Sequence, residues 1–154
     1  MKRVLERCTI RQWRLDDAES LARHPYTIQD ANEFLQRTVS EQPAMKFCIE
    51  IEGAAVGGIG VHPVQDVHRH TATVGYWLGE EFWGRGIMTE AVSAVIDFCF
   101  DNFPLRRISA EVFDNNPASA RVLEKAGFTF EGRLKNHVLK DGELLDSLLY
   151  ARTK

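Results

Sequence analysis

The sequence predicts an α+β domain: a mixed, mostly antiparallel twisted sheet of about seven strands flanked by about four helices. Short alternating or β-branched runs recur along the chain and are punctuated by turn residues. Capping residues precede apolar positions at helical spacing. A strand–helix–strand stretch in the middle asks for one crossover, and hairpins on either side of it ask for antiparallel pairing.

The first strand is the alternating stretch Arg7 to Trp13. Asp16 is then placed to cap a short helix running to about Arg23. Thr27 with Asp30 three residues later forms a capping box, and Ala31, Phe34, Leu35 and Thr38 continue at helical spacing. Phe47 to Glu52 and Ala54 to Val61 form a hairpin about Glu52-Gly53. Arg69 to Leu78, rich in Thr, Val and aromatics, is a longer strand. Ile87 to Asn102 is an apolar-rich helix, followed by Pro104, which cannot continue it. Arg106 to Phe113 alternates as a strand. Asn116 caps the next helix, Pro117 takes its first position, and Gly127 follows its end. Phe128 to Leu139 and Leu144 to Arg152 close the chain as a hairpin over Lys140-Asp141-Gly142-Glu143, whose Asp-Gly pair suits a tight turn.

The 154 residues suit a single domain, 1–154, and 44% hydrophobic with 27% charged residues is ordinary for a globular chain. A net charge of -3 provides no uniform basic field for a phosphate backbone, so no direct nucleic-acid partner is expected. The start, Met1 to Arg7, carries basic residues without an apolar h-region, and no apolar run is long enough to span a bilayer. Neither a signal peptide nor a membrane partner is expected. Cys8, Cys48 and Cys99 are odd in number and widely spaced, which fits neither a disulfide framework nor a metal site. They read as buried, reduced thiols of a cytoplasmic protein.

The most informative stretch runs from Tyr76-Trp77-Leu78 through Glu80-Glu81 to Gly84-Arg85-Gly86-Ile87-Met88-Thr89. A strand leads into a short loop and a helix opens at once. The helix start presents N–H groups with no partner in the helix and the positive end of its dipole. Gly84 and Gly86 let an anion approach the backbone, and Arg85 adds a positive charge. The alternative is a strand-to-helix turn with no ligand. The third glycine of a dinucleotide fingerprint and the Gly-Lys-Ser/Thr of a P-loop are both missing.

Three segments resemble the GNAT N-acetyltransferases, in the Rim-type branch that acetylates ribosomal-protein N-termini. One is Gly75-Tyr76-Trp77-Leu78 with Trp83-Gly84-Arg85-Gly86 and Thr89-Glu90-Ala91. The second is Asn115-Asn116-Pro117-Ala118-Ser119-Ala120-Arg121 to Gly127-Phe128, and the third is the closing hairpin, 139–152. The resemblance implies splayed central strands and acetyl-CoA as acyl donor. Main-chain amides from about Arg85 through Ile87 and Met88 to Thr89 would hold the pyrophosphate. The edge of Tyr76, Trp77 and Leu78 would pair with the pantetheine arm. Asn116 would face the cofactor, with Ser119 near the sulfur. The branch includes homodimers. This chain departs from the pattern in carrying Glu81 where Gln or Arg is usual and Leu123 where many members have a catalytic Tyr. The connection from Arg23 to Pro25 is also shorter than relatives have, which reads either as a deletion or as a missing loop.

The implied reaction is direct attack of a neutral primary amine on the thioester in a ternary complex. The acceptor is a protein N-terminal α-amine or a small-molecule amine. An N–H near Trp77 or Leu78 is a candidate donor to the carbonyl oxygen. Ser119 either assists the leaving thiolate or simply serves the helix start. Glu80 and Glu81 are candidate bases or surface residues, and His137 is a further base candidate. His62, His68 and His70 match no metal spacing and read as a solvated loop. Trp77, Phe82 and Trp83 either line the cofactor cleft or pack in the core and hinge. Arg106 and Arg107 either attract the adenosine phosphate or keep a strand edge soluble. The competing class is an acyl-CoA-binding or sensing module without turnover.

Overall fold

The computed structural model describes residues 1–23 and 27–154. The shortened connection before Pro25 therefore lies outside the described residues. Among those described, eight strands form a sheet in the order β1-β2-β3-β4-β5-β6-β8-β7, with four α-helices. The strands are β1 Lys2–Val4, β2 Thr9–Gln12, β3 Lys46–Ile51, β4 Ala54–Pro63, β5 Thr71–Leu78, β6 Arg107–Phe113, β7 Thr129–Lys140 and β8 Glu143–Thr153. The helices are α1 Ala18–Leu21, α2 Ile28–Ser40, α3 Ile87–Asn102 and α4 Pro117–Lys125. The pairs β1–β2, β2–β3, β3–β4, β6–β8 and β7–β8 are antiparallel, whereas β5 and β6 are parallel in a register that covers Thr71↔Arg107, Ala72↔Ile108 and Thr73↔Ser109. That register is short beside strands of eight and seven residues, as splayed central strands require.

Two expectations are corrected. The sheet has eight strands because Lys2–Val4 pairs with β2, Lys2 facing Arg11 and Val4 facing Thr9. All three β1 residues are exposed, so no alternation of apolar and polar positions marks it in the sequence. The second correction concerns the turn before α1. Asp17, not Asp16, receives the main-chain N–H of Arg14 at 2.8 Å, and Leu15–Asp17 is a 3-10 turn ahead of α1. Asp17 takes this role because its carboxylate also faces a buried cation. Other ends shift by one or two residues, as fraying ends do.

The chain forms two compact units. The first contains Met1–Val61 and Tyr76–Ala91. Its core gathers Trp13, Leu21, Ala31, Leu35, Cys48 and Ala55, with Phe34 and Trp77 packed against it. Trp13 meets Phe34 edge-on at 5.6 Å and stacks on Trp77 at 6.5 Å. The expected capping box starts α2, with Asp30 N–H donating to Thr27 Oγ1 at 3.1 Å and Thr27 N–H to Asp30 Oδ2 at 3.3 Å. Glu52 and Gly53 turn the β3–β4 hairpin with φ of 50° and 82°. Farther along β4, a Cβ on Gly57 would stand 2.6 Å from the Trp77 carbonyl oxygen, and one on Gly58 would stand 2.9 Å from both the Trp13 and Trp77 rings. Only glycine admits the end of β5 this closely.

The second unit contains His62–Gly75 and Val92–Lys154. Val92, Val95, Ile96 and Cys99 of α3, Ile108 of β6 and Leu123 of α4 are fully buried in it. Asn116 caps α4 as expected, its Oδ1 accepting from Ser119 N–H at 3.2 Å. Asp141 and Gly142 turn the β7–β8 hairpin at φ of 51° and 78°.

Arg11 in the first unit is the most demanding charge in the core, its side chain 4% exposed. It binds Asp17 with two hydrogen bonds of 2.7 and 2.8 Å and pairs with Glu50 on β3. These partners hold its guanidinium in the charged form, its hydrogen bonding to Asp17 outweighing the burial that opposes it. Removing it strands two carboxylates, so Arg11→Ala is expected to lower unfolding free energy by about 3–5 kcal/mol. A urea midpoint within experimental error of wild type would refute that role.

Candidate active site

The loop between β5 and α3 lies wholly in the first unit. Glu80–Phe82 makes a 3-10 turn, closed by Phe82 N–H to the Gly79 carbonyl at 3.0 Å and Trp83 N–H to the Glu80 carbonyl at 3.1 Å. The Trp83 ring is exposed, and its Nε1–H donates to the Leu78 carbonyl at 2.7 Å. Trp83 is therefore a hinge bond between strand end and loop rather than core. Gly79 N–H donates to the Val56 carbonyl at 2.9 Å, holding the base of the loop on β4. The Arg85 guanidinium sits 5.7 Å from the Phe82 ring centre, a cation–π contact.

Gly84 and Gly86 adopt φ of 71° and 75°, the left-handed region that favours glycine. A Cβ at Gly84 would meet nothing within 4 Å, so the backbone there is open. The Gly86 carbonyl accepts the first α3 bond, from Glu90 N–H at 3.1 Å, which puts Gly86 at the cap position with no side-chain acceptor of its own. The helix itself cannot satisfy the N–H groups of Ile87, Met88 and Thr89. The side chains of Ile87 and Met88 are buried, so their contribution at this place is main-chain. Open backbone, left-handed glycines and a sixteen-residue helix behind them fit a diphosphate.

Sequence reasoning missed two residues here. Glu90 does not turn back on its own helix; its carboxylate accepts from Glu6 N–H at 3.1 Å and Arg7 N–H at 3.0 Å. Arg7 is carried by this link to the start of α3, where its Nε lies 3.5 Å from the position of a Gly86 Cβ. Glu90 was visible as part of the Thr89-Glu90-Ala91 segment, but nothing near Arg7 in sequence marks it.

The remaining candidates are placed as follows. Tyr76, Trp77 and Leu78 end β5 and are half-buried, with the Trp77 ring in the core, so Trp77 offers its main chain. Glu80 and Glu81 are exposed in the 3-10 turn. In the second unit, Ser119 is half-buried in the first turn of α4. Its N–H donates the capping bond to Asn116 Oδ1. Leu123 is fully buried, which suits a packing residue. His137 Nδ1 lies 2.9 Å from Ser147 Oγ and 3.5 Å from Glu111 Oε2. His70 donates from Nδ1 to the Pro104 carbonyl at 2.8 Å. Arg107 is committed to Glu131 through bonds of 2.8 and 2.5 Å, which hold the Glu131 carboxyl below its usual range. That pairing favours the sheet-edge role for Arg107 over phosphate attraction.

The three cysteines are free and buried. Burial pushes Cys8 up to about 11, with Glu90 adding to it, and raises Cys48 and Cys99 to about 12. At neutral pH they are thiols and poor nucleophiles. Among the described residues, no helix is long and apolar enough to cross a membrane.

Known proteins resemble this chain over most of its length. The family model described as an acetyltransferase (GNAT) domain matches residues 7–129. The uncharacterized N-acetyltransferase p20 of Bacillus licheniformis is 29% identical over 97% of this chain and 94% of its own length. The ribosomal-protein-serine acetyltransferase of Escherichia coli is 34% identical over 71% of this chain, which spans 60% of that protein. RimJ from Mycobacterium smegmatis, solved in complex with a CoA disulfide, superposes with a TM-score of 0.82 at 29% identity, covering 95% of this chain and 81% of that one. The chain belongs to the GNAT acetyltransferase family. It is an N-acetyltransferase that takes its acyl group from acetyl-CoA, which sets aside the binding module without turnover.

A side chain at Gly86 would be forced into left-handed backbone beside Arg7. Gly86→Val is expected to weaken CoA binding by roughly tenfold or more, since each charge-assisted hydrogen bond contributes about 1.5–3 kcal/mol. Titration calorimetry showing wild-type affinity would remove the loop from the site.

Proposed function

We propose that this enzyme acetylates α-amines, foremost the N-terminus of a protein, with a small-molecule amine as the other acceptor class. The observation that carries the reading is the left-handed Gly84 and Gly86 opening directly into α3, a main-chain cradle for the donor's diphosphate. Acetyl-CoA supplies an activated thioester. The chain positions it through main-chain N–H groups from Arg85 to Thr89, with the edge at Tyr76 to Leu78 and with Asn116 along the rest of the cofactor. An N–H at Trp77 or Leu78 donates to the thioester carbonyl oxygen. The Ser119 hydroxyl donates a proton or a hydrogen bond to the departing thiolate. Support for this comes from the Asn116-Pro117-Ala118-Ser119 match to the family pattern.

Glu80 and Glu81 accept the amine proton directly or through water, being carboxylates one turn from the end of β5. His137, half-exposed and oriented through Nδ1 by Ser147, is the alternative base. An exposed carboxylate is a weak base, and this favours an acceptor that needs little deprotonation. An α-amine has a reference pKa of about 7.7–8.0 against about 10.4 for lysine, a difference of roughly 3.4 kcal/mol. The relative named for a ribosomal-protein serine points the same way. The reading places the enzyme in the cytoplasm, where its three buried thiols stay reduced, and allows a homodimer.

The test is a mass-spectrometric acceptor screen with free thiol release followed in parallel. Peptides with free N-termini should be acetylated with kcat/KM at least about tenfold above N-blocked lysine peptides. Acetylation confined to lysine side chains would overturn the α-amine assignment. Ser119→Ala should lower kcat by about 10²-fold or more, the range for proton transfer by a positioned side chain, with little change in CoA affinity. Wild-type turnover would strike Ser119 from the mechanism.

A further inference from the structure

The turn between β1 and β2 presents an arrangement that packing alone does not explain. Leu5 N–H donates to the Cys8 carbonyl at 2.8 Å, closing the hairpin, and Glu90 accepts from the N–H groups of Glu6 and Arg7. The turn is thereby fixed to the first turn of α3, with the Arg7 side chain lying along Gly86. Its Nε, Cδ and Cζ stand 3.5, 3.7 and 4.0 Å from where a Gly86 Cβ would be.

This puts a guanidinium at the positive end of a sixteen-residue helix, where a cation is disfavoured by the dipole. Nearby carboxylates offset it only loosely. Arg7 Nη1 is 3.7 Å from Glu90 Oε1 and Nη2 is 3.4 Å from Glu6 Oε1, both longer than charge-assisted hydrogen bonds of about 2.7–2.9 Å. Both Glu90 oxygens already hold main-chain N–H groups. The Arg7 side chain is 44% exposed beside the loop. On the loop itself, Glu80 and Glu81 are exposed and would repel a diphosphate, and Arg85 is the one cation of residues 79–89.

We infer that Arg7 is a cofactor-binding residue: its guanidinium donates to the diphosphate seated at the start of α3, and Glu90 positions it there through the main chain of residues 6 and 7. The inference rests on the diphosphate reading of the Gly84–Thr89 loop. It assigns to β1, otherwise a short exposed strand, the task of closing the hairpin that delivers this charge.

The experiment compares wild type, Arg7→Gln and Arg7→Lys by calorimetric titration with CoA and with dephospho-CoA, which keeps the diphosphate but lacks the 3′-phosphate. Melting temperatures without ligand are measured in parallel. Arg7→Gln should raise Kd about tenfold for both probes, with a melting temperature close to wild type. Arg7→Lys, which keeps the charge, should recover most of the affinity. Unchanged affinity in Arg7→Gln would overturn the inference, and so would a loss seen with CoA but not dephospho-CoA. An Arg7→Lys protein as weak as Arg7→Gln would also overturn it, since packing rather than charge would then be at work. Failure of wild type to bind either probe would instead refute the loop reading beneath it; binding by wild type with an indifferent Arg7→Gln leaves the loop intact and removes Arg7 alone.

Discussion

The N-terminus of α3 is the constraint around which the first unit is arranged. A helix cannot bond its own first N–H groups, and the residue that would ordinarily supply a side-chain acceptor here is Gly86. The acidic residue of the first turn, Glu90, is engaged by the turn at residues 6 and 7. The two left-handed glycines leave the backbone beside this helix start open at Gly84, which is what the proposed seating of the donor's diphosphate requires.

Holding such a loop in one geometry requires anchors, and these come from its flanks. Trp83 bonds the Leu78 carbonyl, Gly79 bonds Val56, and the Trp77 ring stacks on Trp13 in the core. Gly57 and Gly58 on β4 let the Trp77 main chain and ring approach without a side chain intervening. The same core is tied to β2 and β3 through the Arg11–Asp17–Glu50 cluster. An N-acetyltransferase needs this rigidity because correct placement of the thioester against the amine lowers the barrier more than any single side chain here can.

Much of this is legible in the sequence. Thr27 and Asp30 announced the start of α2 because a capping box is a local arrangement. Asn116-Pro117 marked the start of α4, and Asp141-Gly142 marked a hairpin turn, each read from residues adjacent in the chain. The Gly84-Arg85-Gly86 loop was recognisable for the same reason. What could not be read were pairings across long separations. β1 has no apolar face and exists only through its ladder with β2. Asp17 displaced Asp16 because Arg11 folds onto it, and Arg107 was spoken for by Glu131, distant in sequence and near in space.

By itself, the sequence determined the succession of strands and helices from β2 onward, the family and the acyl donor, because each rests on residues close along the chain. Only the tertiary structure decided which charges are spent on one another and which stand beside the loop. Glu90 with the turn at Glu6 and Arg7 is the plainest case, more than eighty residues apart and joined by two hydrogen bonds. The physical reason is that a hydrogen bond or ion pair depends on distance in space, which local spacing does not encode.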